Sequence, residues 1–522
     1  MSRASRRQFL RAVAAVPLPF ALPAATAAEP AAADIGSRRE LFVDDTLIDR
    51  LGGKATLRLH HPQPKEVALV HDTPWEGSGS GYHSVFRDGD RYRMYYKAWH
   101  LDVSGGKLNT SAHPLYCCYA ESTDGVRWTK PELGLHEFRG SKANNIAIAS
   151  GKIGGVNADA GHPAVFRDEN PDAAPDARYK AILRSNGPHG LLAFQSADGL
   201  RWAPMADKPV ITAGAFDSQN LAFWDPVRKE YRAYWRTFTG GVTDAKTWKP
   251  TRTRAIRTAT SKDFLTWANQ ADLTYADSPP EHLYTNQVKP YHRAPHLLIG
   301  FPARYVERPW SDSMRALPER EHREQRSKAG QRYGTAITEG LLMASRDGVR
   351  FKRWNEAFLR PGPEREGTWN YGHQYVAWHL VETRSALDGA AGELSLYATE
   401  SYWTGDSSAL RRYTLRLDGF VSANAPLSGG ELVTRPVTFA GSGLEVNFAT
   451  SAAGSVRVEL QDAAGASIPG YTLAECSPLF GDTVSRSVTW KAGGDVGKLA
   501  GKPVRLRFAL ADADLYAYRF RG

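Results

Sequence analysis

The sequence is poor in cysteine and has no apolar run long enough to span a membrane. Its three cysteines are Cys117, Cys118 and Cys476, and adjacent strand residues point to opposite faces, so we expect no disulfide framework. A transmembrane helix needs about 20 successive apolar residues, so no membrane partner is expected. Aromatic residues make up 11% of the 522 residues and charged residues 23%, which excludes disorder and coiled coil and favours a globular, β-rich protein.

An excess of one charge sign is also missing from most of the chain. The formal charge of +10 includes four arginines, at positions 3, 6, 7 and 11, that precede the first acidic residue. The remaining basic excess is spread over the rest of the chain, so the composition does not indicate a nucleic-acid partner.

The first residues resemble an export signal. Residues 5–10, Ser-Arg-Arg-Gln-Phe-Leu, match the twin-arginine pattern, and small residues at 25–28 suit a signal peptidase. Prolines at 17, 19 and 23 interrupt the apolar stretch between them and disfavour a membrane helix. We predict a twin-arginine signal peptide over residues 1–28 and a periplasmic or secreted mature protein.

One short pattern recurs five times along the chain. Each copy has an apolar strand, a turn of the Ser-x-Asp-Gly type and an aromatic residue that begins the next strand. The copies cover residues 119–128, 193–202, 260–267, 344–351 and a weaker 414–420. Their aspartates, which are predicted to form turns rather than to catalyse, are Asp124, Asp198, Asp263, Asp347 and Asp418.

A second alternating hairpin precedes each copy of this turn. It is clearest at residues 83–96, 163–182 and 220–235 and looser at 286–301 and 374–397. Two hairpins make the four strands of one propeller blade, so the repeats predict an all-β fold with a five-bladed β-propeller over residues 40–425.

Two other segments complete the predicted propeller. The strand-like residues 40–48 are expected to supply the missing strand of the fifth blade and so to close the ring. The highly charged residues 315–332 are expected to form a solvated helix.

The character of the sequence changes after Pro426. Strand-like runs recur at short intervals in residues 426–522 and predict a β-sandwich accessory domain. The sequence leaves open whether this domain is structural or binds glycans.

The loops that enter the five inner strands surround the mouth of a propeller channel, which is the natural pocket of such a fold. They bring carboxylates, amides, imidazoles and aromatic rings to one opening, a mixture that suits an oligo- or polysaccharide. These loops are residues 74–83, 156–162, 214–220, 280–286 and 368–373.

Hydrolysis of a glycosidic bond needs two carboxyl groups that face each other at about 5 to 9.5 Å. Asp217 and Glu281 each precede an inner strand on consecutive blades. We predict Asp217 as the charged carboxylate and Glu281 as the protonated acid. Asp44 or Asp45, on the expected closing strand, is the third acidic candidate.

Further sugar contacts are expected from residues of the same loops and the strands that follow them. These predicted contacts are His83, Asn220, Tyr284, Asn286, Arg304, Trp369, Tyr371 and His373. Arg304, together with Arg257 and Arg346, suits a carboxylate or sulfate group. Histidines at comparable positions on three blades leave open a cation bound on the axis. Histidines packed within the channel are the favoured interpretation, so neither a cofactor nor a metal is predicted.

The repeats resemble the five-bladed propeller glycosidases of glycoside hydrolase families 32 and 43. The local likeness is greatest at residues 85–96, Val-Phe-Arg-Asp-Gly-Asp-Arg-Tyr-Arg-Met-Tyr-Tyr, similar to the first-blade hairpin of family 32. The chain also looks like a secreted, family-32-like bacterial subgroup, with residues 41–45 near its start. The resemblance implies cleavage of fructosides, arabinosides, xylosides or related glycans, with Asp217 as acidic stabiliser and Glu281 as general acid.

The chain departs from family 32 where the nucleophile would lie. That family has Asn-Asp-Pro-Asn-Gly before the first inner strand, whereas residues 79–83 have Ser80 in place of the nucleophilic aspartate. Either Asp44 or Asp45 replaces it, or the protein is not an ordinary family 32 enzyme. Two alternatives are a sugar-binding propeller without catalysis and a sialidase-like enzyme, whose blade turn the Ser-x-Asp-Gly pattern approaches.

Overall fold

The computed structural model describes residues 32–105, 107–244 and 246–522. The predicted signal peptide at residues 1–28 lies outside this part of the chain. None of the helices within the described ranges is sufficiently long and apolar to cross a membrane.

Five sheets of four or five strands form the propeller. Blade 1 contains Gly81–Asp88, Arg91–Ala98, Tyr116–Ser122 and Ile146–Ala149. Blade 2 contains Gly151–Ile153, Val156–Arg167, Tyr179–Ser185, Leu191–Ser196 and Ala203–Pro204. Blade 3 contains Leu221–Asp225, Glu230–Thr243, Trp248–Ser261 and Ala268–Asp272.

Blades 4 and 5 complete the ring. Blade 4 contains Lys289–Tyr291, Ala294–Gly300, Met343–Ser345, Arg350–Arg353 and, at its outer edge, Thr274–Ala276. Blade 5 contains Val381–Thr383, Glu393–Glu400, Ala409–Arg416 and, at its outer edge, Gln63–Val70. The predicted all-β class and the five-bladed propeller are confirmed.

The repeated aspartates form turns in four of the five blades. In blade 1, Asp124 Oδ1 accepts hydrogen bonds from the backbone N–H groups of Val126 and Arg127, both at 2.8 Å. Gly125 has φ +71°, a conformation that glycine adopts without strain. The same arrangement recurs at Asp198, Asp263 and Asp347.

Tyrosines of the second strands join neighbouring blades at three of the five junctions. Tyr95 of blade 1 donates to the Gly199 carbonyl in the turn of blade 2, at 2.9 Å. Tyr234 of blade 3 makes the equivalent bond to the Gly348 carbonyl of blade 4, and Tyr397 of blade 5 donates back to blade 1. This recurring bond satisfies a buried hydroxyl and fixes the order of the blades.

The strand that closes the ring differs from the prediction. Gln63–Val70 pairs with Ala409–Arg416 of blade 5, whereas Glu40–Leu41 pairs with the last strand of the chain. Leu41, Phe42 and Val43 are buried in the core of the C-terminal module. The expectation that residues 40–48 close the propeller is therefore wrong.

The C-terminal module is one ten-stranded sheet with strands from both ends of the chain. Its strands are Ala33–Gly36, Glu40–Leu41, Ile48–Gly53, Thr56–Leu59, Val421–Ala425, Gly430–Thr434, Val437–Phe439, Gly443–Asp462, Asp482–Ser487 and Val504–Arg521. The two longest strands pair along both halves with irregular register between Thr450 and Ser455. Phe508 and Tyr518, one from each half of the last strand, approach to 5.6 Å, so the sheet folds back on itself around a shared core.

The charged insertion forms helices that are partly buried rather than solvated. The helices are Asp312–Ala316, Arg320–Ala329 and Gln331–Thr335, between the paired strands Ala303–Val306 and Ile337–Gly340. Arg323 and Arg326 are fully buried and donate to the Trp369 carbonyl and to Asn370 Oδ1. The expectation of a solvated helix is therefore wrong for the face of Arg320–Ala329 that carries Arg323 and Arg326 and contacts residues 368–370.

Smaller elements lie at the edges of the blades and the module. They are the hairpin strands Asp102–Ser104 and Lys107–Asn109 and the 3-10 helices Pro175–Ala177 and Gly497–Leu499. All three cysteines are free and buried.

Candidate functional site

A cavity of about 680 Å³ lies on the propeller axis, where the loops enter the inner strands. Each predicted loop contributes one lining residue: Tyr82, His162, Asp217, Tyr284 and Tyr371. The convergence of five distant loops on one opening follows from the radial arrangement of the blades. We call this cavity the axial pocket.

Two buried glutamines fill the channel below the axial pocket. Gln219 Nε2 donates to the carbonyl oxygens of Tyr82 at 2.9 Å and Pro163 at 3.0 Å. Gln287 Nε2 donates to Gln219 Oε1 at 2.7 Å and to the Val376 carbonyl at 2.8 Å. Because these bonds join the inner segments of several blades, the pocket ends inside the propeller rather than passing through it.

Aromatic rings form much of the pocket wall. Tyr371 lies 4.6 Å from Trp403 between ring centroids, and Tyr402 stacks on Trp403 at 5.7 Å. Tyr82 and Tyr284 belong to the same buried cluster. Rings of this kind offer flat apolar faces to a sugar while their polar atoms remain available for hydrogen bonds.

Basic side chains form the rest of the wall. They are Lys97, Arg184, Arg236, Arg254 and Arg332. Lys97 Nζ donates to the Tyr402 hydroxyl at 2.7 Å, and burial lowers the pKa of Lys97 to about 7.

Two acidic residues, Asp217 and Glu307, are among the described residues that line the pocket. Asp217 is half-exposed and forms an ion pair with Arg236 Nη2. Asp159 lies behind the wall, where it pairs with His162 at 3.0 Å and Arg184 at 3.5 Å. Burial alone would raise the pKa of Asp159, but these two partners hold it at about 2.

Tyr284 has an unusual environment for a buried phenol. Its hydroxyl accepts a hydrogen bond from Tyr371 at 2.9 Å, and the Arg236 guanidinium lies 4.9 Å from its ring centroid. Burial by itself would raise the pKa of Tyr284, but the charges of Arg236 and Arg254 and the hydrogen bonds from Tyr371 and Arg236 lower it below the usual value. A phenol of this kind supplies a phenolate more readily than an ordinary tyrosine.

The structure does not bring the predicted partner of Asp217 into the axial pocket. Glu281 pairs with Arg304 Nη1 at 3.0 Å and with Arg353 Nη2 at 2.9 Å. Side chains alternate along this extended segment, so Tyr284 faces the pocket while Glu281 faces the opposite side. Glu281 therefore forms ion pairs with two arginines outside the pocket and is not a partner of Asp217 in it.

Asp44 and Asp45 also lie away from the axial pocket. Asp44 Oδ2 pairs with Arg346 Nε at 2.8 Å, and Asp45 Oδ2 lies 3.9 Å from Lys352 Nζ. Both partners belong to the outer part of blade 4. Residues 40–45 lie with the C-terminal module, so they contact blade 4 from outside the axial pocket. Neither aspartate takes the place of the carboxylate missing at Ser80.

Five other predicted contacts form a layer behind the pocket wall. His83 Nε2 lies 3.0 Å from His71 Nε2, and burial keeps the pKa of His83 well below its usual value. His373 accepts from the Trp369 N–H, and burial lowers its pKa to about 3. Asn220 and Asn286 donate to nearby backbone carbonyls, as does the indole of Trp369. These side chains hold the loops in place and do not line the axial pocket.

The three arginines predicted to bind an anion are already paired. Arg257 bonds Asp272, Arg304 bonds Glu339 and Glu281, and Arg346 bonds Asp44 and Glu40. The basic residues of the axial pocket are different ones. Lys97, Arg184 and Arg236 each lie five residues after a tyrosine at or next to the start of the second strand of their blade. These tyrosines are at positions 92, 179 and 231. This repeat was the signal that could have found them.

The described residues contain no cluster of three or more His, Cys, Asp or Glu side chains suited to a metal ion. The sequence left open whether a cation binds on the propeller axis. The described residues offer no set of ligands for such a cation.

Comparison with known proteins gives similar folds but no close relative. No protein-family profile matches the chain, and no curated protein matches it. One similar structure is an arabinoxylan arabinofuranohydrolase of glycoside hydrolase family 43 from Bacillus subtilis, in complex with cellotetraose. It has 12% identity and a TM-score of 0.39, and the match covers 88% of this chain and 99% of that one.

Two further structures match over a shorter range. The catalytic domain of the Coprinopsis cinerea GH62 α-L-arabinofuranosidase has 10% identity and a TM-score of 0.40, covering 69% of this chain and 99% of that one. An N-acetylgalactosamine deacetylase from F. plautii, in complex with blood group B trisaccharide, has 12% identity and a TM-score of 0.40, covering 70% and 94%. Identities and scores this low transfer no substrate or activity to this chain.

Proposed function

We propose that the protein is a glycosidase that removes terminal sugar units from an oligo- or polysaccharide bound in the axial pocket. The observation that carries the proposal is a dead-end pocket with aromatic walls, lined by the carboxylates Asp217 and Glu307. A pocket closed by Gln219 and Gln287 admits the end of a glycan rather than its middle. The export signal predicted at residues 1–28 agrees with a glycan outside the cytoplasm.

The two carboxylates have different surroundings, which suits different roles. Arg236 pairs with the ionised form of Asp217, so Asp217 is the carboxylate that stabilises or attacks the anomeric carbon. Glu307 is the other carboxylate that lines the pocket, and we assign it as the proton donor to the leaving oxygen. One carboxyl group as acid and a second as nucleophile or base is the arrangement by which glycosidases cleave their substrates.

A second mechanism for the same reaction is favoured by Tyr284. Some glycosidases use a tyrosine nucleophile, and the depressed pKa of Tyr284 under Arg236 suits this role. Its phenolate would form a bond to the anomeric carbon while the leaving oxygen departs with the proton of Glu307. Water would then attack the anomeric carbon and give its proton to Glu307, which breaks the tyrosyl–sugar bond and restores the phenolate and the protonated Glu307.

The test is hydrolysis of a panel of aryl glycosides and of plant and algal polysaccharides by the wild type and single variants. Asp217→Asn and Glu307→Gln are each expected to lower kcat/KM by about 100-fold or more. Glu281→Gln is expected to keep most of the activity, because Glu281 faces away from the pocket. Tyr284→Phe separates the mechanisms, since only a nucleophilic Tyr284 makes that variant as inactive as Asp217→Asn.

Each contrary result has a definite meaning. Sugar release that survives both Asp217→Asn and Glu307→Gln would refute the assignment of the site. Saturable binding of a sugar without release from any substrate would refute the glycosidase and leave a carbohydrate-binding propeller.

A further inference from the structure

The axial pocket has more basic than acidic side chains. Five cations line it against the two carboxylates Asp217 and Glu307. The cations come from corresponding positions in blades 1, 2 and 3 (Lys97, Arg184 and Arg236), from the long hairpin of blade 3 (Arg254) and from the end of the insertion (Arg332). Because these cations come from separate elements, no single charged segment accounts for the basic wall of the pocket.

Three of these cations have no acidic partner in the part of the chain that the structure describes. Lys97 donates to the Tyr402 hydroxyl, and the Arg254 Nη1 group lies 3.2 Å from His282 Nδ1. Arg332 donates to the Tyr333 hydroxyl at 3.0 Å. These neutral partners hold the side chains in position and leave their charges uncompensated.

Two of the five basic groups are deeply buried. Lys97 is 5% exposed and Arg236 is 4% exposed. Lys97 Nζ lies 4.8 Å from the centroid of Tyr82 and 5.0 Å from that of Tyr402, so aromatic faces rather than carboxylates surround it. Burial without a counter-ion destabilises a cation, and an anionic ligand would offset this effect.

The unpaired hydrogen-bonding groups of the pocket point to the same ligand chemistry. Among the described lining residues, four buried N–H groups have no acceptor: Trp99 Nε1, Arg236 Nε, Arg254 Nε and Trp403 Nε1. All four are donors on residues that line the pocket, so a ligand rich in acceptors matches it better than a ligand rich in donors. A carboxylate or sulfate supplies several acceptor oxygens together with negative charge.

We infer that the sugar bound in the axial pocket carries an anionic group, a carboxylate or a sulfate, that Arg236, Arg254 and Lys97 bind. The inference rests on the proposed function to the extent that a sugar occupies the pocket. The acidic group lies between blades 1 and 3, which carry these three cations, and the apolar face of the ring packs on Tyr402 and Trp403. Arg236 also keeps its bond to Asp217, which orients that carboxylate beside the bound sugar.

The test measures equilibrium binding by calorimetry with matched sugars. The probes are glucose, glucuronate and glucose 6-sulfate, and galactose, galacturonate and galactose 6-sulfate. At least one acidic sugar is expected to bind tenfold or more tightly than its neutral counterpart. The uronate and sulfate arms identify which anion the pocket accepts.

Variants assign this preference to named side chains. Arg254→Gln and Lys97→Met are each expected to lower the affinity for the acidic sugar by tenfold or more and to change that for the neutral sugar little. Arg127→Gln removes a charge from an exposed turn of blade 1 and is expected to change neither. A circular-dichroism melt of each variant shows whether it has folded.

The outcomes separate this inference from the proposed function. Equal affinity for neutral and acidic sugars, or a preference that both pocket variants retain, overturns the inference and leaves the glycosidase intact. A preference for acidic sugars without cleavage of any acidic or neutral aryl glycoside supports the inference and overturns the glycosidase. Failure of all six sugars to bind overturns both.

Discussion

Lys97 is the residue whose charge state governs the axial pocket near neutral pH. Burial lowers its pKa to about 7, with Asp159 acting in the opposite direction. The other titratable groups that face it are Tyr82 and Tyr402, whose pKa values burial raises, and His162, whose pKa burial lowers. Lys97 is therefore the group in this part of the pocket expected to change charge around pH 7.

The first prediction concerns the pH dependence of acidic-sugar binding. The protonated form of Lys97 attracts an anion, so affinity is expected to fall as the pH rises through about 7. The bound anion raises the lysine pKa, so the fall begins near pH 7, the pKa of Lys97 in the free protein, and ends at the higher pKa of the complex. Calorimetric titrations across pH 6 to about 9 with the tightest acidic probe measure this change.

The Lys97→Met variant is the control for that assignment. It is expected to bind more weakly, with an affinity that no longer changes in this range. An unchanged pH dependence in Lys97→Met would show that another group is responsible.

At the residue scale, the sequence predicted which loops meet but not which of their side chains face the pocket. Tyr284 and Glu281 lie in one predicted loop, yet alternation along the extended chain sends them to opposite sides. Choosing between them requires the register of the segment, which depends on its pairing with Ala303–Val306. This strand comes later in the chain, and nothing in its sequence shows which segment it pairs with.

The hairpin of Glu230–Thr243 and Trp248–Ser261 is the element that extends the pocket outward. Its strands have 14 residues each, more than the other strands of blade 3, so their far ends reach beyond the blade. Trp248 lies at that end and lines the pocket mouth while 53% exposed. An exposed indole beside a sugar pocket is a stacking surface for the next unit of the glycan.

The second prediction tests this element by substrate length. Trp248→Ala is expected to raise KM for an oligosaccharide about fivefold, the loss of roughly 1 kcal/mol of stacking. KM for an aryl monosaccharide and the unfolding temperature are expected to stay unchanged, since Trp248 contributes little buried area. An equal rise in KM for both substrates would place Trp248 at the terminal sugar instead.

The closing strand shows why some elements escape sequence analysis. Gln63–Val70 is exposed along most of its length at the outer edge of blade 5, so it has no apolar alternation that marks a strand. Leu41, Phe42 and Val43 are apolar because they enter the core of the C-terminal module. The pattern therefore indicated burial correctly, but only Glu40–Leu41 forms a strand there, and the pattern could not indicate which sheet would receive it.

At the scale of the whole molecule, Asp418 joins the propeller to the C-terminal module. It is the fifth repeated aspartate, but it is fully buried and bonds Arg293 at 2.8 Å and the Tyr291 hydroxyl at 2.8 Å in blade 4. It also pairs with Arg39 at 3.3 Å and accepts from Asn447 Nδ2 at 2.9 Å in the module. Burial would raise the pKa of Asp418, but Arg293, Arg39 and Asn447 lower it.

The third prediction follows from this network. Asp418→Asn leaves the buried Arg39 and the partly buried Arg293 without their counter-ion and is expected to lower the free energy of unfolding by about 3 to 5 kcal/mol. Because the pKa is lower in the folded state, the charged aspartate stabilises the protein above its unfolded pKa, and this is lost as the pH falls through the folded pKa. Denaturant unfolding at neutral and acid pH measures both effects.

A matched control is available in the same repeat. Asp124 occupies the corresponding turn of blade 1 and bonds the backbone and Ser122. Asp124→Asn is expected to cost about 1 kcal/mol. Equal losses for Asp418→Asn and Asp124→Asn would show that Asp418 is only a turn residue.

The repeats predicted the architecture well because each blade repeats the same local hydrogen bonds, such as those of Asp124 and Asp198. The module was only partly predicted, since its sheet joins residues 33–59 to residues 421–521 across the whole propeller. Pairing at such a sequence distance depends on the completed fold and leaves no local pattern.

The most direct test of the account is a crystal structure with the acidic sugar that binds most tightly, at saturating concentration. The account predicts density in the axial pocket, with the anionic group within hydrogen-bond distance of Arg236 or Arg254 and the ring on Tyr402 and Trp403. A sugar bound only on the C-terminal module, or an axial pocket that stays free of sugar at saturation, would contradict it.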